Sequence, residues 1–265
     1  MKIKNSNDLV LVEQLGNGIA KLIFNDPPLN LMTTYMNNCL DKALDEIAKD
    51  KSIRVVVVMG AGDRAFSAGA HVKEFSRFVK KGTMVSEKLE MECFVNDKLA
   101  RLPQPTIVAL HGITLGGGIE VALCCDYRIM GKSVSIGYPE IKLGLFPGGG
   151  GLIRLQEIIG KTKAKEMLFF GESVDSAEAL RLGLVNEVLP DDEVLARAME
   201  RAEQLAKMSG ESLKAIKKGI DDVYEMPLSQ GIEYSLGLIS KVLSTKDAQE
   251  GVNAFIEKRD PVFNQ

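Results

Sequence analysis

The sequence predicts an α/β fold in which crossover units build a buried sheet over residues 1–190 and helices alone fill 191–265. Three observations predict it. Val55–Met59 and Thr106–Leu110 are short, almost wholly apolar runs of strand length, the pattern of strands covered on both faces. Stretches with apolar residues at helical spacing lie between such runs. From about Asp191 onward the strand pattern vanishes.

Taken in order, Leu9–Gln14 and Gly18–Phe24 read as a strand pair, with the Gly16-Asn17-Gly18 break suited to a hairpin turn. Asp26-Pro27-Pro28 ends the second strand. Thr33 or Thr34 can cap a helix whose stripe is Met36, Leu40, Ala43, Leu44 and Ile47. The apolar strand Val55–Met59 completes a right-handed crossover unit. A second cycle runs through a helix over Glu87–Leu102, a break at Pro103 and Pro105, and the strand Thr106–Leu110. Gly116-Gly117-Gly118 then opens an apolar helix reaching Cys125. Asp126–Met130 and Val134–Ile136 read as strands, and a glycine-rich loop over 146–151 leads into another helix. The last stretch holds helical patterns over Glu193–Met208, Ser212–Tyr224, Ile232–Leu243 and Asp247–Glu257.

A chain of 265 residues with 45% apolar and 26% charged residues buries a sizeable core without covalent staples. Its formal charge of -3 gives no global pull toward nucleic acid or an anionic membrane. Cys39, Cys93, Cys124 and Cys125 lack metal-ligand spacing and read as reduced thiols; with only His71 and His111, a His-rich metal site is ruled out. The start, MKIKNSNDLVLVEQ, lacks the apolar core of a signal peptide, and no stretch approaches the about 20 apolar residues that span a bilayer. Cytoplasmic residence without membrane attachment is therefore expected.

The glycine loops are the chemically suggestive segments. GAGDRA after Val55–Met59 fits a dinucleotide fingerprint poorly, because Gly69 interrupts the required helix and no acidic residue follows at the right distance. The glycine runs at 116 and 148 lack the Lys-Ser or Lys-Thr of a P-loop. Glycines at 148–151 fit a simple helix entry equally well. At 116–118 they expose backbone N–H groups where a developing oxyanion could bind. Glu120 lies about one turn beyond Gly117. Spacing alone fits a first-turn capping carboxylate as well as an acid or base, and capping is the commoner use. Glu140, beside Pro139, fits a solvated turn or the second member of a carboxylate pair.

Several ordered motifs together resemble the enoyl-CoA hydratase/isomerase, or crotonase, superfamily over nearly the whole chain. They are PPLN (27–30), AFSAGAHVKEF (65–75), LGGGIEVALCCD (115–126), YPEIKLGLFPGGGG (138–151), SAEALRLGLVNEV (176–188) and AFIEKRDPVF (254–263). The resemblance implies a spiral of ββα units, a C-terminal helical trimerisation region, and trimers or hexamers made of two trimers. It implies an acyl-CoA thioester as substrate, with coenzyme A as part of that substrate and no separate cofactor or metal. By position, the amides of Ala70 and Gly117 would form the oxyanion hole, and Glu120 and Glu140 the acid/base pair. Gly148 would help position the catalytic water, and Ala68 would lie against the adenine. Arg64 and Lys73 would meet the CoA phosphates, joined by Phe255 and Lys258 from a neighbouring subunit. Having both glutamates points to hydration, with double-bond isomerisation the alternative. A crotonase-fold RNA binder is a third reading, opposed by Asp221 and Asp222 beside Lys214, Lys217 and Lys218. Two positions depart from the hydratase pattern: His71 stands where Asp is usual, and Tyr138 where Gln is common. Residues 80–92 are expected to line or cover the acyl pocket, and His111 to be structural.

Overall fold

A computed structural model describes residues 9–264, so the expectation for residues 1–8 lies outside it. Strands β1 (Val10–Gly16) and β2 (Ile19–Phe24) form the expected antiparallel hairpin, with Val10 opposite Phe24. Positive φ angles at Gly16, Asn17 and Gly18 make the tight reversal possible. Helix α1 (Thr34–Lys49) is capped by Thr33, whose hydroxyl accepts from the Met36 amide at 2.9 Å. Its stripe of Met36, Leu40, Ala43, Leu44 and Ile47 is buried as the spacing predicts. Strand β3 (Val55–Gly60) then pairs parallel to β2.

The chain next alternates between two sheets. Strand β4 (Ala65–Ser67) precedes helix α2 (Val72–Lys81), and a π-helical turn at Val85–Leu89 opens helix α3 (Glu90–Ala100). Strands β5 (Thr106–Leu110) and β6 (Ile113–Leu115) lead to α4 (Gly117–Ala122). Strands β7 (Tyr127–Gly131) and β8 (Ser135–Gly137) lead through a 3-10 turn, Pro139–Leu143, to α5 (Gly151–Phe170). Strand β9 (Ser173–Asp175), helix α6 (Ser176–Arg181) and strand β10 (Glu187–Leu189) follow. Helices α7 (Val194–Ala206), α8 (Gly210–Val223), α9 (Leu228–Leu243) and α10 (Lys246–Glu257) end the chain.

The larger sheet has the order β1-β2-β3-β5-β7-β10 and the smaller β4-β6-β8-β9. After the β1–β2 hairpin, which lies wholly in the larger sheet, the pairs β3–β4, β5–β6 and β7–β8 each add one strand to each sheet, which is the ββα spiral. Three-residue strands such as β4 and β6 are too short to show a period of two in the sequence. On helix α2 only Phe78 is buried. Helix α4 stops at Ala122 rather than Cys125. The thiols of Cys124 and Cys125 instead donate to the carbonyls of Glu120 and Val121.

Strand β3 is apolar throughout because both its faces are covered. Val56 and Val58 join the main core with α1, while Val55 and Val57 face a second core containing Val194, Ala198, Ala202 and Ala206 of α7. The alanines let α7 lie close on the sheet, so helical packing onto the strands continues past Pro190. Helices α8 and α9 bury no residue completely and present large apolar side chains. Among the described residues no helix is long and apolar enough to cross a membrane.

Ala202 is fully buried between helix and sheet. Replacing it with Leu forces extra volume into that layer and is expected to cost about 1–3 kcal/mol. Urea unfolding checks this: an unchanged midpoint would show that the α7 layer is loosely packed.

Candidate active site

Two distant backbone segments are laced into one corner. The segment after β4 runs beside residues 29–32: the Ala68 amide donates to Leu29 and the Met32 amide to Gly69, both at 2.9 Å. The Ser67 hydroxyl donates to the Asn30 carbonyl at 2.8 Å. Buried Asn30 donates from Nδ2 to the carbonyls of Ala61 and Ala65, and its Oδ1 accepts from the Asp26 amide. The Leu-Asn end of the PPLN motif is therefore a clamp on the loop that follows β4. Gly69 has φ +87°, and a Cβ there would lie 2.6 Å from the Leu115 carbonyl oxygen. This close approach brings Ala70 against Gly117: the Ala70 nitrogen lies 3.6 Å from where a Cβ on Gly117 would project. Gly117 begins α4, so its N–H has no intrahelical acceptor. Among the described residues neither amide donates to a protein acceptor. Two neighbouring free donors suit an oxygen that gains negative charge.

Two carboxylates lie near the start of α4. Glu120 is buried on α4, and its Oε1 accepts from the amides of Gly149 and Gly151 at 2.7 and 2.8 Å. Its Oε2 would lie 3.9 Å from a Cβ on Gly117 and 2.7 Å from one on Gly149. One oxygen is thus locked by the glycine loop, and the other is turned toward the Ala70–Gly117 corner. Glu140, half-buried in the 3-10 turn, places Oε1 2.5 Å from where a Cβ on Gly116 would stand. Only glycine fits at 116, which also has φ +50°.

Burial pushes the Glu120 carboxyl up to about 7, helped by the nearby charges of Glu92 and Glu140 and opposed by the amides of Gly151 and Gly149. Burial also raises Glu140. The Glu140 Oε2 and the Tyr138 hydroxyl are buried without a hydrogen-bond partner.

The other sequence-nominated residues are placed as follows. The Gly148 carbonyl accepts from the Cys93 thiol, while the donors to Glu120 are its neighbours Gly149 and Gly151. Ala68 is half-buried on the laced loop. Arg64 and Lys73 are exposed, and among the described residues neither makes an ion pair. Phe255 is 85% exposed and Lys258 is exposed at the end of α10. Among the described residues neither makes a side-chain hydrogen bond or ion pair to the loop carrying Arg64 and Lys73. His71 is the half-buried residue before α2, and its Nδ1 lacks a partner. Tyr138 is a core residue whose ring packs against Gly151, on the Glu120 side. His111 donates no bond from its buried Nε2, while its carbonyl accepts from Phe66.

Sequence reasoning missed Asn30, Asn96 and the pair Lys88–Glu92. Asn96 donates to the Gly149 carbonyl at 2.8 Å and so steadies the loop that holds Glu120. Asn96 lies within the helical pattern over Glu87–Leu102 with no mark of its burial, which comes from a loop more than fifty residues later.

Glu120 ionises less readily in the folded protein than in the unfolded chain. The wild type therefore loses stability, relative to a neutral side chain, as pH rises from 4.5 through about 7. Glu120→Gln keeps an acceptor for both glycine amides. At about pH 4 the variant and wild type should be equally stable, and by about pH 8 the variant should lead by on the order of 3 kcal/mol. Denaturation at the two pH values tests this; a gap that does not change with pH would contradict it.

Residues 14–265 match the family model described as enoyl-CoA hydratase/isomerase. A Mycobacterium tuberculosis protein described as a probable enoyl-CoA hydratase is 36% identical over 258 residues, covering 97% of this chain and 98% of that one. Among solved structures, an enoyl-CoA hydratase from Bacillus anthracis superposes with a TM-score of 0.92 at 33% identity, covering 97% of this chain and 99% of that one. One from Geobacillus kaustophilus gives 0.93 at 35% identity, covering 98% of each. With the fold, the two-sheet spiral and the ordered motifs in agreement over the full length, the chain belongs to the enoyl-CoA hydratase/isomerase family.

Proposed function

We propose that the protein is an enoyl-CoA hydratase, adding water across the α,β double bond of an acyl-CoA thioester. The observation that supports this is the approach of two carboxylates to the start of α4: Glu120 Oε2 lies 3.9 Å from where a Cβ on Gly117 would project and Glu140 Oε1 2.5 Å from where one on Gly116 would stand. The thioester oxygen would accept from both amides, each contributing about 3 kcal/mol as enolate charge develops. Glu120, with Oε1 fixed and Oε2 turned to the corner, takes a proton from the attacking water. Its carboxyl, held near 7, suits a base at neutral pH. The hydroxide portion bonds to the β-carbon, and protonated Glu140 delivers a proton to the α-carbon. Burial raises the Glu140 carboxyl, which favours the protonated form that this step needs. Gly148 beside this loop would help hold the water.

The exposed cations Arg64 and Lys73 suit the CoA phosphates. Ala68 on the laced loop suits the adenine, with Phe255 and Lys258 supplied by a neighbouring subunit. Leu89 lies against Gly148, which supports residues 80–92 as a wall of the acyl pocket.

Self-association as a trimer, or as a hexamer of two trimers, is part of the same reading. Leu228, Ile232, Leu236, Ile239 and Leu243 form an exposed apolar stripe on α9. It borders a groove of about 490 Å³ shared with Val223 and Met226. Stripes of this size on a charged surface mark association.

Enoyl-CoA substrates of graded chain length, followed by mass spectrometry, should yield products one water heavier. Glu120→Gln and Glu140→Gln should each lower kcat by at least about 100-fold. Products of unchanged mass from every substrate would indicate isomerisation instead. Separately, Leu236→Glu should shift the protein toward monomer in sedimentation and weaken CoA binding. An unchanged sedimentation coefficient would remove α9 from the interface.

A further inference from the structure

Lys88 is the one lysine among the described residues whose side chain is completely buried, and the mechanism above does not use it. It projects from the π-helical turn at Val85–Leu89, a departure from α geometry that often marks a functional position. Its Nζ pairs with Glu92 at 2.5 Å and also donates to the Met32 carbonyl at 3.2 Å. Glu92 accepts in addition from Asn37 on α1 at 3.3 Å. The Phe75 ring lies 5.8 Å from the ammonium.

Met32 is where this network reaches the site. Its amide donates to Gly69, and it forms an isolated parallel bridge with Ala70. Its Cγ lies 3.7 Å from where a Cβ on Gly117 would project. Met32 therefore touches both amide-bearing segments of the corner. Asn30 fixes the same segment at its other end. Stability alone does not account for the buried pair, because an apolar pair of similar volume generally does as well or better. What an apolar pair cannot supply is a donor to the Met32 carbonyl.

We propose that Lys88, held by Glu92, is a positioning residue that sets the oxyanion hole through the Met32 carbonyl. This rests on the reading of Ala70 and Gly117 as the oxyanion donors. The bond from Lys88 holds Met32 in the register that keeps the Ala70 amide aimed with that of Gly117. Losing it lets the 69–71 loop drift, so substrate still binds through its CoA portion while the carbonyl is less polarised. Misplacements of this kind fall on kcat rather than KM.

The test uses a conjugated arylacryloyl-CoA, whose absorbance moves to longer wavelength when its carbonyl is polarised, together with steady-state kinetics on an enoyl-CoA. Two variants are measured. K88M/E92L replaces the pair with apolar side chains and leaves no unpaired charge. K88Q retains a donor for Glu92, but its shorter side chain does not reach the Met32 carbonyl. Both are expected to lower kcat about 10- to 100-fold, with KM within about threefold, and to lose most of the spectral shift. If either folded variant keeps the wild-type shift and kcat, the positioning role is overturned while the oxyanion hole stands. If the wild type itself shows no shift on binding, the oxyanion reading fails first, and this proposal with it.

Discussion

A carboxylate buried in the core governs much of this structure. Glu120 sits among apolar residues, and an ionised carboxylate there is costly unless its oxygens are hydrogen-bonded. The amides of Gly149 and Gly151 satisfy one oxygen. That requirement explains the glycine run: a Cβ on Gly149 would strike Glu120, and one on Gly151 would strike Pro147 and Glu120. It also fixes where α5 begins, since Gly151 is both its first residue and a donor to the carboxylate. Desolvation still outweighs these hydrogen bonds, and the carboxyl is held up at about 7.

The corner opposite Glu120 obeys a different constraint, the close approach of two backbones. Gly69 and Gly116 both adopt positive φ, and each faces an oxygen that a side chain would meet. The approach is maintained from behind by the 29–32 segment, with Asn30 clamped to residues 61 and 65 and Met32 to Gly69. Strands β4 and β6 run parallel and deliver the two loops at the same edge. The spiral thus has a direct geometric consequence: the parallel strands β4, β6 and β8 end at one rim of the smaller sheet, and the candidate site lies there.

Local elements were largely legible. Alternation and the Gly-Asn-Gly break located the hairpin, and helical spacing located every buried residue of the α1 stripe except Asn37. The motif resemblance nominated Glu120, Glu140, Ala70 and Gly117, which the fold brings together. Less was legible where burial came from afar. No local pattern marks Lys88 as buried, yet on the π-helical turn it lies in the core. The alanines of α7 carry little hydrophobic signal, and their role depends on a sheet face formed by distant residues from Ile19 to Ile129. The strand pattern ended at Leu189, as read, but the covering of the sheet did not.

The sequence by itself determined the order of the longer strands and helices, the hairpin turn, a capping threonine before α1, and the family to which the motifs belong. These depend on interactions among residues a few positions apart, which leave periodic or motif signatures. Only the tertiary structure decided that Gly149 and Gly151 hold Glu120, that Glu140 lies against Gly116, and that Lys88 reaches Met32. Those partners come from separate turns of the spiral. Their meeting is set by how strands align in two sheets and by what each side chain loses when water is removed, and neither quantity is written in any local stretch of the chain.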